Sequence, residues 1–294
     1  MNLEVRSVLH DESSTFSYVV WDPQSRRGAI IDPALDFDPK SGHTGTHTAE
    51  QLLAIVSAEG LTIDWILETH AHADHISAAP FVRDRVGQPP VAIGQGIRVV
   101  QERFKRLFNL ERGFLPDGSQ FDHLFADGET FALGEISARA IATPGHTNDH
   151  LSYVIGGAVF VGDTLFMPDA GTARCDFPGG DARTLFRSTR RLFEELNDAT
   201  RMFMLHDYGP NGREQRNETT VGEQRRENIH VREGASEGEY VEMREARDAT
   251  LELPTLIIPS VQVNIRAGHF PPPEDNGVTY LKVPIDAFVQ EELE

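Results

Sequence analysis

The order of apolar runs predicts an α/β protein in which β-sheets lie sandwiched between helices. Three observations carry this reading. Strand-like runs rich in Val, Ile and Tyr alternate with longer helical runs. Two β-hairpins of similar sequence, one early and one near the middle, point to two β-rich halves. His and Asp residues recur just past apolar runs, where open α/β sheets gather functional side chains at strand ends.

Ser17 to Pro33, SYVVWDPQSRRGAIIDP, reads as two β-rich runs joined by a turn at Asp22-Pro23. Leu151 to Asp163, LSYVIGGAVFVGD, reads the same way around Gly156-Gly157. Both hairpins open on Ser-Tyr-Val and close on Asp, a weak internal repeat. Between them, Thr48 to Gly60 is expected to be a helix with Thr48 as N-cap and Gly60 as its stop. Ile63 to Glu68 is a short buried strand, Ile76 to Gly87 a second helix, and Gly96 to Leu110 a third, amphipathic one. Glu129 to Gly145 is strand-like, and Asp181 to Leu196 is a helix preceding a strand at Met202 to His206.

Past Tyr208 the character changes. Gly209 to Arg247 is polar with helical patches, and Leu253 to Gly277 is apolar with prolines at both ends. Leu256, Ile257, Ile258, Val261 and Val263 need burial, which predicts a core over 1–208 and an extension over 209–294 packed on it. Pro271-Pro272-Pro273 reads as a local extended loop segment.

Bulk properties narrow the function. A chain of 294 residues with 39% apolar and 25% charged residues is that of a soluble globular protein, best read as one domain with an elaborated end. No apolar run approaches the roughly 18 residues a membrane span needs, and the N-terminus lacks signal- or transit-peptide character, so a cytoplasmic location is the expectation. A formal charge of −19 argues against a nucleic-acid partner, and a small acidic substrate would need a few arginines to make a local positive pocket. The lone Cys175 excludes an internal disulfide and a Cys-rich zinc site. Any metal ligands must therefore be His and Asp.

Four places offer them. His70, His72, Asp74 and His75 in THAHADH follow the strand ending WILE; His146 follows Thr143-Pro144-Gly145; Asp163 ends VFVG; His206 follows MFML. Three imidazoles and a carboxylate in six positions are costly to bury without a cation, so the cluster points to a metal. Asp163 at the end of a buried strand needs a cation or strong donors for the same reason. His10, His43, His47, His123, His150, His230 and His269 stand alone and read as surface or hydrogen-bonded histidines.

HAHADH resembles the H-x-H-x-D-H motif of the metallo-β-lactamase fold superfamily, and TPGHT, GDTLF and the late His206 match its other ligand positions in order over roughly residues 1–210. The resemblance implies an αββα four-layer sandwich of two pseudo-symmetric halves. Carried over by motif, one metal site would be His70, His72 and His146, the other Asp74, His75 and His206, with Asp163 bridging. That inventory implies two zinc ions activating a hydroxide.

GDTLFMPDAGTARCDFPGG looks like the signature of the persulfide dioxygenase (sulfur dioxygenase) branch, a relative of glyoxalase II, with Arg174 and Asp176 flanking Cys175. LHDYGPNGRE stands where the hydrolase branch carries a different motif, and the extension is longer than in short persulfide dioxygenases. That branch implies one iron(II) per chain held by His70, His146 and Asp163, a facial triad with open positions for water, persulfide sulfur and O2. His72, Asp74, His75 and His206 would then hydrogen-bond to bound water or orient the ligands. Glutathione persulfide and O2 are the implied substrates, sulfite and glutathione the products, and a homodimer the implied assembly.

Arg174 is the first choice for a pocket residue that orients the substrate or Asp176, because guanidinium suits carboxylates, and Asp176 is itself expected at the substrate. Tyr208 and Arg213 are expected to line the same mouth, with Arg266 a weaker choice. Cys175 is either a small core residue or an oxidisable thiol near the site. Two other readings stay open: a zinc-dependent hydroxyacylglutathione hydrolase of the glyoxalase II type, and a non-catalytic metal-binding or sulfur-sensing protein.

Overall fold

The computed structural model of the chain describes residues 3–287; Met1, Asn2 and residues 288–294, the last part of the predicted extension, lie outside it. The first half opens with an antiparallel meander of β1 (Glu4–His10), β2 (Thr15–Trp21) and β3 (Arg27–Ile31). There follow β4 (Ala34–Asp38), β5 (His43–Gly45), α1 (His47–Glu59), β6 (Thr62–Leu67), β7 (Ile76–Ser77), α2 (Ala79–Arg83), β8 (Val91–Gly94), α3 (Ile97–Leu107) and β9 (His123–Phe125). The sheet order is β1-β2-β3-β6-β8-β9, with β3, β6, β8 and β9 parallel; β5, β4 and β7 make a small satellite sheet.

The second half repeats the plan. The hairpin β10 (Thr130–Leu133) and β11 (Ile136–Ala142) leads to β12 (Leu151–Ile155) and β13 (Ala158–Phe160). Helix α4 (Ala182–Glu195) then crosses to β14 (Arg201–Phe203), parallel to β13, and β15 (Glu218–Thr220) closes the edge. Three helices end the described chain: α5 (Val221–Glu227), α6 (Glu237–Asp248) and α7 (Ile257–Asn264).

The two-residue period of each strand explains the layers. Tyr18, Val20, Ala29 and Ile31 point between the sheets and meet Ala138, Ala140, Tyr153 and Phe160 of the second sheet. Their neighbours Val19, Trp21 and Ile30 point outward under α1, α2, α3 and α7. On the opposite side Ile141 and Val159 are covered by Leu185 and Phe186 of α4, Val221 of α5 and Tyr240 of α6. Three apolar cores between four layers are the αββα sandwich. The extension adds β15 to the second sheet, α6 to the second outer face and α7 to the first.

The Ser-Tyr-Val repeat joins the halves. Tyr18 Oη donates to the Met204 carbonyl just past β14, and Tyr153 Oη donates to the Glu68 carbonyl just past β6, at 2.9 Å. Each tyrosine thus buttresses the strand end of the other half, and burial pushes both phenols well up.

Two local expectations are corrected. Thr48 is not the N-cap of α1; Thr46 stands there without a capping side chain, and Asp36 of β4 accepts from the His47 and Thr48 amides and from Thr48 Oγ1 instead. A carboxylate from a neighbouring strand satisfies the free helix amides, so the cap is tertiary. The helix expected over Ile76 to Gly87 is the short α2, because Ile76 and Ser77 pair as β7 with β4 and Pro80 falls in the first helical turn. Gly60 does stop α1, in the left-handed region with φ 60°. Among the described residues no helix is long and apolar enough to cross a membrane.

Candidate metal centre

The loops after β6, β11, β13 and β14 meet at one edge of the sandwich. The loop after β6 is pinned from three sides. Asp32, at the end of the first hairpin, accepts from Thr69 N (2.7 Å) and Thr69 Oγ1 (2.9 Å). Asp149 accepts from Ala71 N at 2.8 Å. Asn264 of α7 donates to the carbonyls of both His72 and His75 at 2.8 Å. A segment of turn and bend is held here by side chains in place of a ladder.

Each histidine then commits one ring nitrogen to the protein. His70 Nδ1 meets Thr69 Oγ1 (3.1 Å), His72 Nε2 meets Asp32 (3.0 Å) and Glu68 (3.2 Å), and His75 Nδ1 meets Asp74 (3.1 Å). His146 Nδ1 donates to the Arg174 carbonyl (2.7 Å) and His206 Nδ1 to the Ser14 carbonyl (3.1 Å). The opposite nitrogens His70 Nε2, His72 Nδ1 and His75 Nε2, with Asp163 Oδ1, are buried without a hydrogen-bond partner. Buried polar atoms without partners, on residues whose ligand atoms gather within 4.8 Å of one another, are what a cation would satisfy, so this residue set fits a metal.

Ligand atoms of His70, His146 and Asp163 lie within 4.8 Å of one another, as do those of Asp74, Asp163 and His206, and those of His72, Asp74 and His75. His146 Nε2 is 3.4 Å and His70 Nε2 3.9 Å from Asp163 Oδ2, while His206 Nε2 is 3.5 Å from Asp163 Oδ1 and 3.3 Å from Asp74 Oδ2. Asp163 therefore stands between two groups. Burial works against charge at His70, His72, Asp74, His75, Asp163 and His206. Burial and cationic neighbours pull His70 well down, and burial brings His75 to about 4. At His206 burial is outweighed by Asp163 and Asp74, which raise it to about 9. Burial is likewise outweighed at His72, held well up by Asp32 and Glu68, and at Asp74, held well down by His206 and His75. Burial raises Asp163.

A cleft of about 490 Å³ opens over this floor. Asp74, His146, Asp163 and His206 line the floor, Phe166, Phe177 and Tyr208 supply apolar lining, and Arg174, Arg244 and Arg247 supply basic lining beside an uncharged His230. Arg174 faces the cleft but is held bidentate by Asp176 (2.6 Å) and bonded to the Glu252 carbonyl (2.6 Å). Asp176 does not line the cleft; it fixes Arg174. Tyr208, 60% exposed, stacks on His206 at the mouth. Arg213 lies outside the cleft lining, its guanidinium taken by Asp169 and the buried Asp207. Arg266 pairs with Glu111 at 2.8 Å beside Phe114, under the outer face of the first sheet. Cys175 is buried, its thiol pushed up by burial and by Asp248, which suits a small inert core residue.

Sequence reasoning passed over Asp32, Glu68, Asp149 and Asn264, and it read His150 as a surface or hydrogen-bonded histidine, the second of which the structure shows. His150 lies beneath the centre, stacked on His70 at 4.8 Å and accepting from Asp163 N at 2.9 Å. The hairpin repeat held a signal for Asp32, which occupies in the first half the place Asp163 has in the second.

Comparison with known proteins agrees with this geometry. The family model of the metallo-beta-lactamase superfamily matches residues 10–203. The chain is 53% identical to a probable metallo-hydrolase of Burkholderia pseudomallei over 97% of this chain and 100% of that one. It is 46% identical to glyoxylase B2 of Dictyostelium discoideum over 95% of this chain and 96% of that one. At 27% identity, over 69% of this chain and 68% of the other, it is similar to the human mitochondrial persulfide dioxygenase ETHE1. The crystal structure of ETHE1 from Myxococcus xanthus superimposes with a TM-score of 0.71 at 30% identity, covering 90% of this chain and 100% of that one. With the sandwich, the ligand loops and these matches together, the chain belongs to the metallo-beta-lactamase superfamily.

Proposed function

We propose that the protein is an iron(II)-dependent persulfide dioxygenase that oxidises glutathione persulfide with O2 and water to sulfite and glutathione. The observation that carries the reading is the cluster of His70, His146 and Asp163, two imidazoles and one carboxylate within reach of a single ion at the end of an open cleft. The likeness to ETHE1 supports it. Bound there, iron(II) would supply the redox chemistry and open coordination positions for sulfur and O2.

The rest falls to the chain. The Arg174 carbonyl fixes the tautomer of His146, and Asp32 with Glu68 fixes that of His72. Phe166, Phe177 and Tyr208 flank the sulfur end, and Arg247 of α6, beside the Arg244 that Asp248 holds, receives a carboxylate of glutathione. In this reading His72, Asp74, His75 and His206 make the polar wall around the oxidised sulfur.

A second reading rests on the group of Asp74, Asp163 and His206. With His72 and His75 it provides for a second ion, and a pair of zinc ions there would suit a thioester hydrolase; the relatives at 53% and 46% identity carry the names probable metallo-hydrolase and glyoxylase B2. Metal analysis of protein purified without added metal separates the two. One iron per chain with oxygen uptake dependent on glutathione persulfide supports the dioxygenase; a pair of zinc ions and hydrolysis of S-lactoylglutathione overturns it.

A further inference from the structure

We propose that Thr15, Ser13 and His10 form a proton relay from the floor of the metal cleft to solvent at the turn between β1 and β2. Thr15 is fully buried, and its Oγ1 donates to Asp74 Oδ2 at 3.1 Å and lies 3.4 Å from His206 Nδ1. On its other side it sits 2.6 Å from Ser13 Oγ, which in turn is 2.6 Å from His10 Nδ1. His10 is only 3% exposed, and its Nε2 has no hydrogen-bond partner among the described residues. That nitrogen faces Asp36 Oδ1 at 3.7 Å and Glu12 Oε2 at 3.9 Å, and a rotation of the exposed Glu12 side chain brings its carboxylate within hydrogen-bond reach. The Glu12 side chain is 71% exposed and ends the chain of groups in solvent.

The chemical types make this a conductor. A hydroxyl, a second hydroxyl and an imidazole each donate and accept at once, so every member passes a proton without leaving its place. The Thr15 hydroxyl, which donates to Asp74 at rest, first turns its O–H to Ser13; a proton delivered to Thr15 then forms a new O–H bond there while the old one breaks toward Ser13. The same exchange repeats to His10 Nδ1, and Nε2 releases one proton toward Asp36 or Glu12. One proton enters and one leaves, no electrons move, and rotation of the two hydroxyls with a flip of the His10 ring resets the path.

When substrate fills the cleft over Asp74, such a relay gives released protons an exit through the turn between β1 and β2. Oxidation of a neutral persulfide by O2 and water yields thiol, sulfite and two protons; hydrolysis of a thioester yields thiol, carboxylate and one. The relay therefore rests on turnover in the cleft and not on which of these reactions occurs.

Ser13→Ala is the decisive variant because Ser13 touches none of the candidate ligands. In the metal-loaded enzyme its metal content and KM should match wild type, kcat should fall by about tenfold or more, and the solvent deuterium isotope effect on kcat should rise. In a single turnover read with a pH-indicator dye, proton release should lag product formation, whereas the two coincide in wild type. His10→Ala should lose turnover in the same way and regain it with free imidazole, while Ser13→Ala should not be rescued. In metal-free protein the ring-nitrogen NMR shifts of His10 should move in Ser13→Ala and return in Ser13→Thr, reporting the Nδ1 bond independently of activity. Wild-type kcat and isotope effect in Ser13→Ala, with an active parent, overturn the relay alone. A metal-loaded parent that turns over neither glutathione persulfide nor S-lactoylglutathione overturns the relay and the proposed activity together.

Discussion

At the centre of the site, a protein hydrogen bond on one nitrogen of each imidazole decides where the other nitrogen points. That division makes the histidines unequal in their consequences. His146, anchored by the Arg174 carbonyl and 3.4 Å from Asp163, belongs to the group proposed to hold iron, whereas His206 belongs to the group around Asp74. His146→Ala should abolish iron binding, and His206→Ala should retain iron while altering turnover; metal content of the two purified variants checks this, and equal loss of metal would favour a shared binuclear centre. A different histidine sets part of the acid sensitivity. His230 accepts the Thr172 amide at 3.1 Å, and burial, with Arg244 and Arg247, holds it at about 4, below its usual 6.5. The folded protein binds fewer protons here than the unfolded chain, so this contribution is full above pH 6.5 and is lost as pH falls toward 4. His230→Gln keeps an acceptor without a titration, so its Tm should fall less steeply than that of wild type between those values in calorimetry.

At the scale of elements, side chains from distant strands and helices finish what local sequence leaves open. Helix α1 has no capping side chain of its own, and Asp36 supplies the acceptor. Asp36→Ala should destabilise the protein by about 1 kcal/mol, read from urea unfolding, with little effect on metal content. The loop after β6 depends on α7 through Asn264, which joins two of its carbonyls and accepts from Ser77 N at 2.8 Å. Asn264→Ala leaves these buried groups unpaired and should cost about 1–3 kcal/mol while weakening metal binding, measured by competition with a chelator. A loss of stability with full metal affinity would mean that the loop holds its shape without α7. Neither contact is visible as a pattern along the chain: one joins residues 36 and 47, the other residues 264 and 72.

Across the whole molecule, the extension closes both outer faces. Ile257, Val261 and Val263 of α7 enter the first outer core and Tyr240 of α6 the second, while Arg244, Arg247 and Leu251 complete the cleft. Removal of residues 250–294 should therefore expose the helix side of the first sheet and give a protein that aggregates or melts with reduced cooperativity, checked by light scattering and calorimetry. A monodisperse truncated protein with an unchanged transition would show that the core is complete without α7.

The chain order of apolar runs was enough to determine the layered fold, because strand and helix periods follow from local backbone geometry and fix which faces must be buried. It was also enough to bring forward the ligand loops, since four His- or Asp-bearing segments each follow a strand and strands of one sheet end at shared edges. The Ser-Tyr-Val repeat foretold two similar halves, although not that each tyrosine would brace the other half. Tertiary structure alone decided which nitrogen of each histidine faces the centre, that Arg213 and Arg266 are taken up by carboxylates away from the cleft, and that His10 connects to Thr15. Some of these contacts join residues far apart in the chain and others near neighbours, but in every case hydrogen-bond direction and ion pairing are set by position in space, which no residue type or spacing encodes.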